Sequence, residues 1–433
     1  MQLSLNRFSI IMVLALPVIF EVLRKYVFYS SIWLIILDAI FFIIFIRTLS
    51  KFKPPAIFNY WLIVLYIFTI HGLLFSFFND RSPISLLFGL RTAFYPLVGF
   101  LVASSIEFDK DLNVRLIKVA LTLLILIAGF GAAQILLDNE PWGGAVHWIN
   151  YVPPEIQYGR SMGFGGYDDK VNNLFPVINL YRPHSVFLHT GKFGQVVFGF
   201  SALLLVLARD ITPKKRAMLM IIIILCNLIT FQRAALYPLT VFMFIYIYSF
   251  SYNKIKMMLF FLFISFIVII LDSNAIYTII KSFFSALPEI PNRFWGSEFS
   301  VFKSAGAILD NGVLGDGWGY YATGAREFGG GWYSDYYGGE GGWIIMAAEV
   351  GIPIVLILFI LNVLIGILVF FKSLLKNNDR YLCFWVGFII LLLPVWAGTH
   401  NIFGSYLMML YSTIPIGLYY NKSFNLKIQD NLF

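Results

Sequence analysis

Residues 329–371 read GGGWYSDYYGGEGGWIIMAAEVGIPIVLILFILNVLIGILVFF. The first part is glycine, tyrosine, tryptophan and carboxylates. The second part, from Trp343 on, carries Glu349 as its one charge. It exceeds the roughly 20 apolar residues that cross the hydrocarbon core of a bilayer. A polar, aromatic loop is thus fixed directly to a membrane helix. Followed backwards, the polar segment reaches Arg293. Nearly all the rest of the chain is lipid-soluble helix, so chemistry is expected here and at arginine-bearing helix ends on the same side.

Composition agrees. Of 433 residues, 59% are hydrophobic, 18% aromatic and 12% charged, and the mean hydropathy is +0.81. A soluble domain holds about 25% charged residues, so the chain reads as an all-α, polytopic membrane protein. The net charge of +8 belongs to loops that face the cytoplasm. With no basic domain outside the bilayer, no nucleic-acid partner is expected. Cys226 and Cys383 lie in apolar runs and read as small core residues. The basic, then apolar start NRFSIIMVLALPVIFEVL lacks a small-residue cleavage site and reads as a retained first helix.

About twelve spans fit the length rule: 8–23, 28–46, 57–78, 84–105, 113–137, 190–208, 216–231, 234–251, 256–272, 341–371, 380–397 and 404–420. They form one integral membrane domain over 1–433. Alternate loops carry the lysines and arginines: Arg47, Lys51 and Lys53; Lys110, Arg115 and Lys118; Arg209, Lys214, Lys215 and Arg216; Lys254 and Lys256; Lys372, Lys376 and Arg380; Lys422 and Lys427. The intervening loops hold Arg24 and Lys25, Arg81, Arg233, and none around His400. The basic set and both termini are therefore expected in the cytoplasm. The long loops 138–190 and 273–340 then lie outside. Within the second, Phe294, Phe299, Val301, Phe302, Ala305 and Ile308 predict an amphipathic helix on the membrane surface.

Arginine within a span is costly, so its position is informative. Arg91 lies about two turns below the outer end of the fourth span. Arg233 marks a tight outer turn, Arg182 precedes the sixth span, and Arg293 opens the surface helix. Each also fits a helix cap or a head-group contact. Four on the face where positive charge is disfavoured point to a shared anionic ligand. Phosphate or diphosphate suits the planar, bidentate guanidinium. Among nearby carboxylates, Glu340 stands between glycines where the loop meets the bilayer. Partial desolvation there makes a carboxylate a better base near neutral pH; an ordinary interfacial charge is the other reading. Asp335 is a weaker version of the same idea, and Glu349 reads as a structural hydrogen-bonding group.

His184 and His189 flank the start of the sixth span beside Arg182, and His400 lies between the last two spans. No HxxxH or HExxH occurs, so no metal site is expected. Asp38 and His71, inside early spans, read as packed polar contacts. HTGKFG lacks the rest of a phosphate loop and a preceding strand. Trp295, Trp318, Tyr320, Trp332, Tyr336 and Tyr337 suit either sugar stacking or an interfacial belt.

These patterns, in order, resemble the O-antigen ligase and polymerase superfamily of bacterial envelope glycosyltransferases, with its GT-C-type membrane fold. YRPHSVFLHTGKFGQVVFGF (181–200) resembles the family's arginine-bearing approach to a mid-chain helix. LITFQRAALYPLTVF (228–242) resembles its Ser-Arg-Gly-Ala turn, with Gln232 for the serine. NRFWGSEFSVFKSAGAILDNGVLGDGWGYY (292–321) and EGGWIIMAAEVGIPIVL (340–356) resemble its later loop and helix motifs.

The resemblance implies donor and acceptor glycans linked to undecaprenyl diphosphate, handled at the periplasmic face of the inner membrane. It implies no cofactor, lipid contact throughout, and a chain-length regulator as a possible protein partner. It carries diphosphate binding to Arg233 and Arg293, and the reading of the residues themselves adds Arg91, Arg182, His184, His189, Asp335, Tyr336, Tyr337 and His400 as candidate substrate contacts. Counting back from Glu349 places Glu340 where ligases carry a catalytic histidine. That departure favours a repeat-unit polymerase, with a ligase that transfers finished glycan to lipid A core or another acceptor as the nearer alternative. A flippase of lipid-linked sugars stays open as an alternative of another class; large outer loops and the lack of two matching halves count against it.

Overall fold

The computed structural model describes residues 2–28, 30, 32–49, 70–74, 77–78, 83–137, 183, 185–187, 190–230, 239, 241–246, 314–315, 342–374, 380–399 and 406–421. These residues are helical and contain no strand. In chain order they form α1 (Gln2–Tyr26), α2 (Ile32–Leu49), α3 (Pro83–Ser105) and α4 (Lys110–Leu137). Then follow α5 (Thr190–Leu207), a single 3-10 turn (Ala208–Asp210) and α6 (Pro213–Ile229). The last four are α7 (Gly342–Val350), α8 (Ile352–Lys372), α9 (Arg380–Thr399) and α10 (Tyr406–Tyr420).

Four described segments are long and apolar enough to cross a membrane: Ile32–Leu49, Lys110–Leu137, Lys192–Asp210 and Ile352–Lys372. Their surfaces differ by position. On α2, Ile35, Phe42, Ile43 and Ile46 are exposed, and on α8, Leu356, Ile357, Leu364 and Leu368 are exposed. Water would not tolerate such faces on a monomer, whereas lipid does. By contrast α5 is buried on all sides, from Phe193 through Phe200 to Ala208. It packs against α4, α6, α9 and α10.

Close helix contact depends on small residues, as it does where no hydrophobic effect drives helices together. Helices α3 and α10 run parallel and touch backbone to backbone. A Cβ on Gly99 would lie 2.6 Å from the Leu410 carbonyl oxygen, and one on Gly417 would lie 2.5 Å from that of Phe100. At the end of the same seam Asn421 donates to the carbonyls of Ala103 and Ile106, both at 2.8 Å. Helix α10 also meets α5, where Tyr411 fills the notch at Gly199 and its ring lies 4.5 Å from that of Phe200.

The predicted span 341–371 is two helices, not one. Gly351 has φ 90° and breaks the run, and Pro353 opens α8. Proline is preorganised for a first helical turn and cannot continue a helix through its ring. The break also receives part of the second long loop. Gly315, at φ 85°, approaches so closely that a Cβ there would lie 2.6 Å from the Gly351 nitrogen.

Two ends of the bundle are distinguishable. One carries Arg47, Lys110, Arg209, Lys214, Lys215, Arg216, Lys372 and Arg380. There Arg216 donates to the carbonyls of Ala208, Arg209 and Ile211, satisfying the open end of α5, and stacks over Tyr381. The opposite end collects the C-terminal turns of α1 and α4 and the N-terminal parts of α2, α3 and α5. The predicted spans 57–78 and 234–251 are described only in part. Span 256–272, the surface helix and most of both long loops lie outside the described residues.

Candidate functional site

At that opposite end the helices bury a cluster of charges. Asp38 sits on the second turn of α2 and Arg91 about two turns into α3. Because α2 and α3 pack side by side, the two meet. Arg91 Nε donates to Asp38 Oδ1 at 2.9 Å, and an Arg91 terminal nitrogen donates to Oδ2. Tyr95, one turn further along α3, donates to Asp38 Oδ1 at 2.8 Å. Arg91 is 5% exposed. The fork geometry and the tyrosine fix the direction of the guanidinium.

A second pair joins α1 to α5. Lys192 Nζ lies 2.5 Å from Glu21 Oε1, and Glu21 is 1% exposed. Arg24 and Arg91 are both within electrostatic reach of Lys192, as Tyr411 is of Glu21. The two ion pairs lie at the same end of the bundle.

The third part is a clamp on the segment before α5. Lys25, buried on α1, donates to the Ser185 carbonyl at 2.6 Å and covers the Tyr26 ring. Gln134, near the end of α4, exchanges two hydrogen bonds with the Ser185 backbone, at 2.8 and 3.3 Å. Ser185 Oγ donates to the Ile127 carbonyl at 2.7 Å. Ser185 has φ 54°, uncommon for a residue with a side chain. Four hydrogen bonds hold it there.

Among the described residues, this end of the bundle carries Arg24, Lys25, Arg91 and Lys192 together with Glu21 and Asp38. Among the described residues no three His, Cys, Asp or Glu side chains group as metal ligands.

Of the residues singled out in the sequence, Arg91 is in this cluster, and Asp38 is its partner. Glu349 is buried near the C-terminal end of α7, about two turns after Gly342 begins that helix. Arg182, His184, His189, Arg233, Arg293, Asp335, Tyr336, Tyr337, Glu340 and His400 lie outside the described residues. Arg182 and the two histidines flank the clamped 185–187 segment in the chain. In the sequence Arg24 and Lys25 read only as loop charges, and Glu21 and Lys192 do not stand out as site residues. The signal was present: Glu21 and Lys192 interrupt apolar runs just as Arg91 does.

The described residues form an α-helical chain with helices long and apolar enough to cross a membrane and with ion pairs between helices at one end of the bundle. Compared with known proteins, the chain matches no family model and no curated sequence.

Proposed function

We propose that the chain is a polysaccharide polymerase, of the O-antigen polymerase kind, working on undecaprenyl-diphosphate-linked repeat units at the periplasmic face of a bacterial inner membrane. The observation that supports this reading is Arg91, buried within a span and oriented by Asp38 and Tyr95 at the bundle end opposite the lysine- and arginine-rich one. By the positive-inside rule that end faces outward, where an arginine within a span suits a ligand better than topology.

In this reading the acceptor hydroxyl oxygen attacks the anomeric carbon of the donor glycan. The bond from that carbon to the diphosphate oxygen breaks, and its electron pair leaves with undecaprenyl diphosphate. Glu340 takes the acceptor proton. Arg293 and Arg233, with Arg91 and Arg182, hold the diphosphate, whose negative charge grows as the bond breaks. Fixed guanidinium groups therefore stabilise the transition state more than the ground state. Asp38 and Tyr95 support this by fixing Arg91. About twelve spans with both termini inside complete the picture.

A second reading has one observation in its favour. Charge pairs buried between helices, Glu21–Lys192 and Asp38–Arg91, also suit a transporter of lipid-linked sugars. Reconstitution separates the two. Purified protein with lipid-linked repeat units makes a ladder of longer chains if it is a polymerase. Movement of the lipid across the bilayer without new glycosidic bonds supports transport instead. Glu340→Gln should lower chain growth by about 10²–10⁴-fold while the protein still inserts; full activity in that variant removes the base assignment.

A further inference from the structure

We infer that the lysine- and arginine-rich end of the bundle holds an anionic phospholipid on the joint outer face of α4 and α6. Its phosphodiester lies against Arg115, Lys118 and Lys214, and its acyl chains run along the two helices beyond them. The site does not depend on what the opposite end of the bundle binds.

The geometry follows from how three helices pack. Helices α4 and α6 both lie against α5, and they also touch each other. Near their C-terminal ends, a Cβ on Gly131 of α4 would lie 3.5 Å from Ile229 Cγ2 of α6. Near their N-terminal ends, Asn113 of α4 donates to the Leu207 carbonyl and to Asp210, in the turn that leads into α6, both at 3.4 Å. The two helices therefore run parallel. Arg115 and Lys214 each precede the Gly131–Ile229 contact by about four turns, so they stand at the same height, with Lys118 within a turn of them.

The side chains point the same way. On α4, Leu112, Leu116, Ala120 and Leu124 make the buried face, and Arg115, Lys118, Ile125 and Leu126 are exposed on the opposite one. On α6, Leu219, Ile223 and Cys226 are buried, and Lys214, Met218, Ile221 and Leu225 form one exposed stripe at the spacing of a helix face. Each stripe thus begins with cations and continues as exposed hydrocarbon.

Charge makes the face selective. Arg115 and Lys118 belong to a segment long and apolar enough to cross a membrane, and cations there reach towards head groups. Among the described residues, Arg115, Lys118, Lys214 and Lys215 form no ion pair. The carboxylates beside them are Asp111 and Asp210, and Asp210 is engaged by Asn113 and Arg209. Glu107 and Lys110, at the approach to α4, offset each other. Positive charge is left over, and a guanidinium with ammonium groups suits a phosphodiester. The hydrocarbon directly beyond the cations suits a lipid and not a free anion.

The test titrates the full chain, in uncharged detergent, with phosphatidylglycerol and with phosphatidylcholine of the same acyl chains, counting bound lipid by native mass spectrometry. Phosphatidylglycerol should bind more tightly, and added salt should weaken it. Lys118→Gln with Lys214→Gln should weaken it by about tenfold or more, and Lys118→Arg with Lys214→Arg should retain it. Lys372→Gln, at the same end but on α8, should leave it unchanged. Equal binding of phosphatidylcholine, or wild-type binding in the double glutamine variant, would mean that these cations only reach for solvent and would overturn the site. A loss in Lys372→Gln as large as in the double variant would replace the site with a diffuse field over the whole basic end. Displacement of phosphatidylglycerol by an equal concentration of inorganic phosphate would overturn the assignment to a lipid.

Discussion

Arg91 and Ser185 show how much of this protein is decided by single side chains. Arg91 is buried against Asp38, so truncating either partner alone leaves a charge in a poor environment. Arg91→Leu should lower stability by about 3 kcal/mol, read as a drop in thermal unfolding temperature in detergent. Asp38→Leu added to it should restore much of the loss, because the pair is then gone as a unit. No recovery in the double variant would show that Arg91 acts through other contacts. Ser185 holds a left-handed backbone through Lys25, Gln134 and Ile127. A β-branched residue does not adopt that conformation readily. Ser185→Val should cost about 2 kcal/mol, and Ser185→Asn clearly less by the same unfolding measurement. Neither effect follows from the sequence alone. Ser185 is one of many serines, and nothing near it in the chain announces a positive φ.

The elements follow the hydrophobic pattern closely where single helices are concerned. Described helices α2, α3, α5, α9 and α10 fall within a few residues of the predicted runs. The exception is the run that began the reading. Its apolar character continues from Trp343 to Phe371, but the backbone does not, because Gly351 takes φ 90° and Pro353 starts a new helix. Hydropathy carries no record of such a break; glycine two residues before proline does. Gly315 packs against it with almost no room, 2.6 Å from the Gly351 nitrogen and 2.7 Å from the Glu349 carbonyl oxygen for a hypothetical Cβ. Gly315→Ala should therefore cost about 2–3 kcal/mol, since both its dihedral and the backbone contact resist a side chain. Near-wild-type unfolding in Gly315→Ala would mean that this contact is dispensable. On the α3–α10 seam, Gly417→Val should be of similar severity, because the Phe100 backbone cannot move aside.

At the scale of the whole molecule, the segregation of lysine and arginine to one bundle end makes a prediction about orientation. Cys226 and Cys383 are buried, so the chain offers little background for thiol labelling. A cysteine at Lys214 should react with a membrane-impermeant reagent only after cells are opened, and one at Asp335 should react in intact cells once the outer barrier is passed. The opposite pattern would invert the topology and move the charge cluster to the cytoplasmic face. By itself the sequence determined that the chain is helical and membrane-embedded, and it located most described helices. That information is local: a run of apolar residues must satisfy its own backbone as a helix in lipid, whatever surrounds it. It also marked Arg91, since an arginine in such a run stands out. What only the tertiary structure decided is which charges meet. Glu21, Asp38, Arg91 and Lys192 are separated by up to 171 positions in the chain, and their pairing depends on how α1, α2, α3 and α5 pack. The stretch at 329–371 revealed a membrane protein at once, and Gly351 before Pro353 marks its break locally, but the pairing of the charged side chains emerges only when helices distant in sequence are brought into contact.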